Sequence, residues 1–388
     1  MKFTLTLPLR LFGLLLLLLV LTTCGNRKGK KYYDGEETLW LGTYTRTEGH
    51  VDGKAPGILR RNFNVESGKW GEETATVATP VNPSFLTLDE REQTLYVVSE
   101  LAHADEPTGF VYAYRISEDN QLTEISKLPT DGLAPCHVAL DRTGRYAVVS
   151  NYVGGVAKMY AVGRDGALTP HAKFEVPAKY AAAGDSWLHS ATFSPDNQTL
   201  AIADKGKDRV WLFSFDVEDA GFDPFPQIFA ATPPESGPRH TAWSADSRFL
   251  YVINELGNSV SVIGEAPGTR EYAVLQTIPT LPGGYSEASY CADLHLHPSG
   301  KFLYGSNRGH DSIVAYQVDP ATGKLRLIGH TPTRGGYPRN FAVTDNGKYL
   351  LAANQNTDNI STYRIDPNSG KLSFVEEVAV LTPVCIEM

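Results

Sequence analysis

PRHTAWSADSRFLYVINE, residues 238–255, reads as a short strand, a tight polar turn and a second strand that ends in a polar pair. Aromatic and β-branched residues fill its two apolar runs, and Ser and Asp fill the break, as strands and turns respectively prefer. Five further copies have the same shape: PSFLTLDEREQTLYVVSE (83–100), PCHVALDRTGRYAVVSNY (135–152), LHSATFSPDNQTLAIADK (188–205), CADLHLHPSGKFLYGSNR (291–308) and PRNFAVTDNGKYLLAANQ (338–355). Taken in chain order, their starts are 52, 53, 50, 53 and 47 residues apart. That period lies in the range of propeller repeats. Each copy is followed by an alternating segment such as VYAYRI, VWLFSF or IVAYQV, then a turn rich in Asp, Gly and Asn, then another short strand. Four strands per unit make one blade.

The two ends supply a seventh unit in halves. TLWLGTYT (38–45) is a second strand with no first strand before it, and PVCIEM (383–388) is a first strand with no second after it. Joined, they complete a seventh blade and close the ring, which protects strand edges that would otherwise template aggregation. Composition agrees: 19 Tyr, 16 Phe, 35 Gly and 24 Pro suit strands and tight turns, and no stretch sustains an apolar 3.6 period. The expected fold is all-β, a seven-bladed propeller over 38–388.

Ahead of it, Lys2 and Arg10 flank the start of an apolar run, Leu11–Leu21, too short for a membrane span and suited to a signal-peptide core. The run ends in Leu21-Thr22-Thr23-Cys24-Gly25, which resembles a bacterial lipobox. The expectation is a lipoprotein signal peptide over 1–23, lipid on Cys24, and a polar tether over 24–37. That makes the chain an exported lipoprotein of the cell envelope, facing the periplasm and touching the membrane only through its anchor. Losing Lys2 and Arg10 takes the net charge from −9 to −11. So acidic a chain lacks the basic face that phosphate backbones require, and no nucleic-acid partner is expected. The remaining cysteines, Cys136, Cys291 and Cys385, form no CxxC pair, disulfide framework or zinc pattern.

The repeat allows comparison by position. The first strand runs down beside the axis and the second runs back up, so the start of one and the end of the other share a face. First strands begin Ser84-Phe85, Cys136-His137, His189-Ser190, Arg239-His240, Ala292-Asp293, Arg339-Asn340 and Val384-Cys385. Second strands end Thr43-Tyr44, Ser99-Glu100, Asn151-Tyr152, Asp204-Lys205, Asn254-Glu255, Asn307-Arg308 and Asn354-Gln355. These ends bring three His, three Arg, a Lys and four carboxylates to one mouth. Arg239, Arg308 and Arg339 make a local positive site there, suited to carboxylate or phosphate groups. The bland reading of the same residues is a set of blade-to-blade salt bridges.

At these residues the sequence resembles the propeller lactonase family, the 6-phosphogluconolactonase type. The matching stretches include NPSFL (82–86), PCH (135–137), GPRH (237–240), NEL (254–256), HPSGKFLYGSNRGHDSI (297–313), YPRNF (337–341), NGKYLLAANQ (346–355) and PVCI (383–386), spanning nearly all of 38–388. The resemblance implies hydrolysis of a small anionic sugar-acid lactone. The family also holds a fungal cyclase acting on carboxymuconate, so fold does not settle reaction. Two features depart from the pattern. Trp187-Leu188-His189 stands where many relatives have His-Pro-His or Pro-His, so only His189 carries over. An exported protein also does not meet cytoplasmic phosphorylated intermediates, which favours unphosphorylated aldonolactones.

Opening a lactone requires an activated water, a stabilised oxyanion and a proton for the ring oxygen. His189 and His240 are the expected proton-transfer groups, with Asp293 and Glu255 orienting a histidine or binding sugar hydroxyls. Arg239, Arg308 and Arg339 are the expected anion binders, with His137, Glu100 and Asn151 completing the substrate-binding set. No Ser sits in a GxSxG elbow. Glu100, Asn151, Asp204, Asn254 and Glu255 could offer oxygens to Ca²⁺, but no loop carries tight ligand spacing and three Arg oppose a cation, so no cofactor is expected. His295, His297 and His310 read as turn or packing residues, Cys136 and Cys291 as buried small side chains, and Trp187 as an aromatic able to stack on a sugar. A monomer is expected. A cyclase acting on a polycarboxylic acid, and a non-catalytic envelope propeller, are the alternatives that the same mouth would serve.

Overall fold

Seven four-stranded antiparallel sheets follow one another around the chain in a computed structural model that describes residues 35–388 apart from 50, 92, 103–106, 178–184, 223–227 and 267–271. The apolar run, Cys24 and nearly all of the tether lie outside the described residues. Six blades are sequential, with inner strands Phe85–Asp89, Leu133–Leu140, Leu188–Phe193, Pro238–Trp243, Tyr290–Leu296 and Pro338–Val343. The seventh joins the two ends: Pro383–Glu387 is its inner strand and pairs with Glu36–Thr43, which continues to Ile58–Asn64 and Lys69–Ala78. Leu41 faces Ile386 and Gly42 faces Cys385 across that seam.

The blades form because their turns enforce the reversal. In the second blade the Asp141 carboxylate accepts the N–H groups of Thr143, Arg145 and Tyr146, and Gly144 adopts φ 69°. Such a turn suits the twist of the flanking strands. Burial then stacks the blades, and each of the seven blade–blade interfaces holds its own apolar cluster. The seam between blades six and seven packs Leu39, Leu41 and Phe63 on Tyr349, Leu351 and Ile360. Each such side chain, fully buried, contributes about 1.5–3 kcal/mol.

One irregularity positions the site. In blades two to seven the inner strand bulges near its start, so that one residue, or two in the fifth blade, has no partner on the second strand. The bulged residues are Cys136, His189, Arg239, Ala292 with Asp293, Arg339 and Val384. A bulge bends the strand and re-aims the side chain it carries. Here the re-aimed side chains cluster at one end of the axis.

Candidate active site

Three stacked rings of seven residues, one per blade, build this end of the propeller. The outermost comes from the last residue of each polar pair: Tyr44, Glu100, Tyr152, Lys205, Glu255, Arg308 and Gln355. Several neighbours in blade order bond to each other. Tyr44 Oη donates to Glu100 Oε2 at 2.9 Å, Lys205 Nζ donates to Tyr152 Oη at 3.1 Å and pairs with Glu255 Oε1 at 2.6 Å, and Arg308 Nη2 pairs with Glu255 Oε2 at 3.1 Å.

Ser84 of the first blade and the bulged residues other than Asp293 form the middle ring. Arg239 is buried, and its Nε lies 3.0 Å from Glu255 Oε2 as an ion pair without hydrogen-bond alignment. Its Nη1 donates to the Ala292 carbonyl at 2.6 Å. Glu255 therefore serves three cations. Burial alone would raise its carboxyl, but Arg308, Arg239 and Lys205 outweigh that and bring it down to about 2. Burial, followed by the like charges of Arg308 and Arg339, pushes Arg239 down to about 10. Arg339 sits 3.9 Å from Glu100 Oε1 and over the Tyr44 ring.

In the inner ring, His240 Nδ1 lies 2.7 Å from Asp293 Oδ1, and His240 Nε2 lies 3.1 Å from Arg239 Nη1. A carboxylate on one side and a guanidinium on the other dictate the tautomer: Nδ1 carries the hydrogen and Nε2 accepts from Arg239. Burial and Arg239 push His240 down to about 4, against the pull of Asp293. Asp293 is held well below the carboxylate range despite burial, by His295 and His240. It also accepts from Asn340 Nδ2 at 2.5 Å and from the Leu294 N–H at 2.8 Å. His137 stacks on Phe85 with centroids 4.2 Å apart and meets His240 edge-on. Between Arg239, Arg339, Glu100 and His240 lies a central cavity of about 10 Å³, room for roughly one water-sized group.

His189 meets His240 at 5.2 Å and Tyr152 at 5.6 Å, ring to ring. Its Nδ1 lies 3.7 Å from Cys136 Sγ, and its Nε2 has no hydrogen-bond partner among the described residues. Burial, then Arg239 and the other nearby cations, hold its pKa well below 6.5, so the ring is neutral at neutral pH.

The structure thus gathers His189, His240, Arg239, Glu255, Asp293, Arg308, Arg339, His137 and Glu100 at one mouth. Asn151 is held by backbone carbonyls through its Nδ2, while its Oδ1 has no partner among the described residues. Its amide donates to the Val156 carbonyl of its own blade and to the Thr130 carbonyl in the connection from the first blade. Ser99, Asn307 and Asn354 likewise bond to carbonyls of the connection from the preceding blade, and Asn254 bonds to Ser259 of its own blade. Successive strand residues face opposite ways, so Tyr152, the next residue, takes the axial position. His295, read as a packing residue, instead places Nε2 3.0 Å from Asp293 Oδ2. It lies two residues beyond Asp293, hence on the same face, a signal that alternation contained. His297 and His310 do bond in turns, to Ser299 and Ser312. Cys136, Cys291 and Cys385 are buried free thiols.

The model of the lactonase family with a seven-bladed β-propeller matches residues 38–388. The chain belongs to the seven-bladed propeller lactonases. It is similar to a 6-phosphogluconolactonase of Formosa agariphila, 33% identical over 302 residues that cover 74% of this chain and 82% of that one. A 6-phosphogluconolactonase of Bacillus subtilis is 28% identical over 316 residues, covering 78% and 83% respectively. Among solved structures, the periplasmic gluconolactonase of Pseudomonas aeruginosa superposes with a TM-score of 0.81 at 32% identity, over 90% of this chain and 98% of that one. This lactonase is a propeller hydrolase of the 6-phosphogluconolactonase type.

Proposed function

We propose that the enzyme hydrolyses aldonolactones that carry no phosphate, at the mouth where Glu255 gathers Lys205, Arg239 and Arg308 beside His189. That cluster is the observation carrying the reading. One carboxylate fixes three cations in place and cancels only part of their charge, next to a neutral imidazole whose Nε2 has no hydrogen-bond partner among the described residues. His189 Nε2 takes a proton as the water oxygen bonds to the lactone carbonyl carbon. The carbonyl oxygen becomes an oxyanion facing Arg239 and Arg308. Its collapse breaks the ring C–O bond, and the proton on His189 passes to the ring oxygen, leaving a hydroxy acid. Glu255 is too acidic to carry protons and acts as the anchor of the cations. Asp293 and His240 orient Arg239, while Arg339 and Glu100 line the water-sized cavity beside it.

The signal-peptide-like run Leu11–Leu21 and the lipobox-like Leu21–Gly25 motivate the substrate assignment, since an exported lipoprotein would meet plain sugar lactones. A pH-stat assay with glucono-δ-lactone and its 6-phosphate, corrected for spontaneous opening, tests the reading. The plain lactone turns over at least as well as the phosphate, chelator changes nothing, and His189→Gln lowers kcat by about 10²–10⁴-fold. Full activity of a folded H189Q protein would remove this histidine from the mechanism. A strong preference for the phosphate would remove the substrate assignment.

A further inference from the structure

Tyr152 and Trp187 form an aromatic ledge on the lip of the mouth. Both are half-buried, their planes lie within 17° of parallel, and their centroids are 5.8 Å apart. The Lys205 ammonium sits 5.3 Å from one ring centroid and 5.7 Å from the other. Tyr152 meets His189 edge-on, so the ledge adjoins the proton-transfer group. The loop under Trp187 is held firmly. Its N–H donates to Asp204 Oδ1 at 3.1 Å, and its carbonyl accepts from the Lys205 N–H at 3.0 Å. Asp204, fully buried, also accepts from Ser186 Oγ at 2.6 Å and from Trp211 Nε1 at 3.1 Å. With the backbone under Trp187 held and the Tyr152 hydroxyl bonded to Lys205 Nζ at 3.1 Å, the stacked pair is partly pre-ordered, so its contact area converts well into affinity.

We infer that Trp187 and Tyr152 are a subsite that recognises the closed ring of a sugar lactone by stacking on its C–H face, and that releases the open-chain product. The inference rests on the lactonase reading. A six-membered sugar ring presents a flat apolar face to the negative face of an aromatic ring. The hydroxy acid formed by ring opening has no such face and spreads over many conformers. Ring opening therefore removes the ledge contact while the carboxylate it creates remains near the cations. The Lys205 ammonium, shared between both rings and Glu255, joins this subsite to the charged cluster.

The test uses two probes that the enzyme does not hydrolyse, D-glucono-δ-lactam as the closed ring and D-gluconamide as the open chain. Their binding is measured by calorimetry to the wild-type chain, Trp187→Ala and Trp187→Phe. Trp187→Ala weakens the lactam by about tenfold, the upper end of what one aromatic contact contributes, and changes gluconamide by less than about twofold. Trp187→Phe, which keeps a ring, recovers most of the lactam affinity. The KM for glucono-δ-lactone follows the lactam. Equal lactam affinity in wild type and W187A overturns the inference, as does a loss as large for gluconamide as for lactam, or a wild type that does not bind the lactam. If the lactam pattern holds but no lactone is turned over, the ring subsite stands and the hydrolytic reading falls.

Discussion

Glu255 carries more of the site than its single charge suggests. Lys205, Arg239 and Arg308 all lie within 3.1 Å of its two oxygens, and all four side chains are buried. Removing the charge leaves three buried cations with no common partner. Glu255→Gln is expected to cost about 3–5 kcal/mol, the typical penalty for breaking a buried ion pair from one side; urea unfolding measures it, and a loss under about 1 kcal/mol would contradict this account. The sign with pH follows from the depressed carboxyl. In the unfolded chain it titrates at its ordinary value of 4.5, and in the folded chain at about 2. Its stabilisation is complete above 4.5 and is lost as pH falls towards 2. His189 works in the same direction for catalysis. Because burial and Arg239 hold it well below 6.5, kcat/KM should run level from about pH 8 down through 6.5. A pH-stat series that shows an inflection near 6.5 would place the working base elsewhere.

Strands and their bulges decide which residues reach the axis. The columns read from the repeat already held every member of the three rings, because equivalent residues in equivalent blades occupy equivalent places. Alternation within the polar pairs was the step that the sequence reading left unused. It separates Tyr152, which faces the axis, from Asn151, which ties its strand to the neighbouring strand and to the connection from the first blade. It also puts His295 on the face of Asp293. The bulges were not legible, since a bulge is a property of pairing between strands and leaves no mark in composition. The closing strand pair shows how tight these elements are. A Cβ on Gly42 would lie 2.6 Å from the Pro83 carbonyl oxygen and 2.9 Å from Cys385 Cβ. Gly42→Ala should therefore destabilise by about 1–3 kcal/mol through overpacking. Denaturant unfolding reads this, and a neutral result would mean that the seam between the seventh and first blades yields more easily than its contacts indicate.

For the molecule as a whole, closure of the ring is the organising event. Each blade buries one cluster against each neighbour, so opening the ring exposes two of them and leaves Glu36–Thr43 as a free edge. Deleting 383–388 should abolish cooperative unfolding and yield aggregates on size exclusion, as an unpaired edge over exposed apolar faces requires. A monomeric deletion variant that melts like the full chain would show that six blades suffice. Sequence alone determined the number of blades, the split seventh unit, and the polar character of one mouth, because a repeat with one phase has only one way to close and its columns inherit that symmetry. Only the tertiary structure decided which charges meet. Lys205, Glu255 and Arg308 lie about fifty residues apart on three blades, and Arg239 reaches Glu255 through a bulge. Pairing at a few ångströms depends on side-chain direction and the stacking of blades, quantities that a one-dimensional pattern of residue types does not contain.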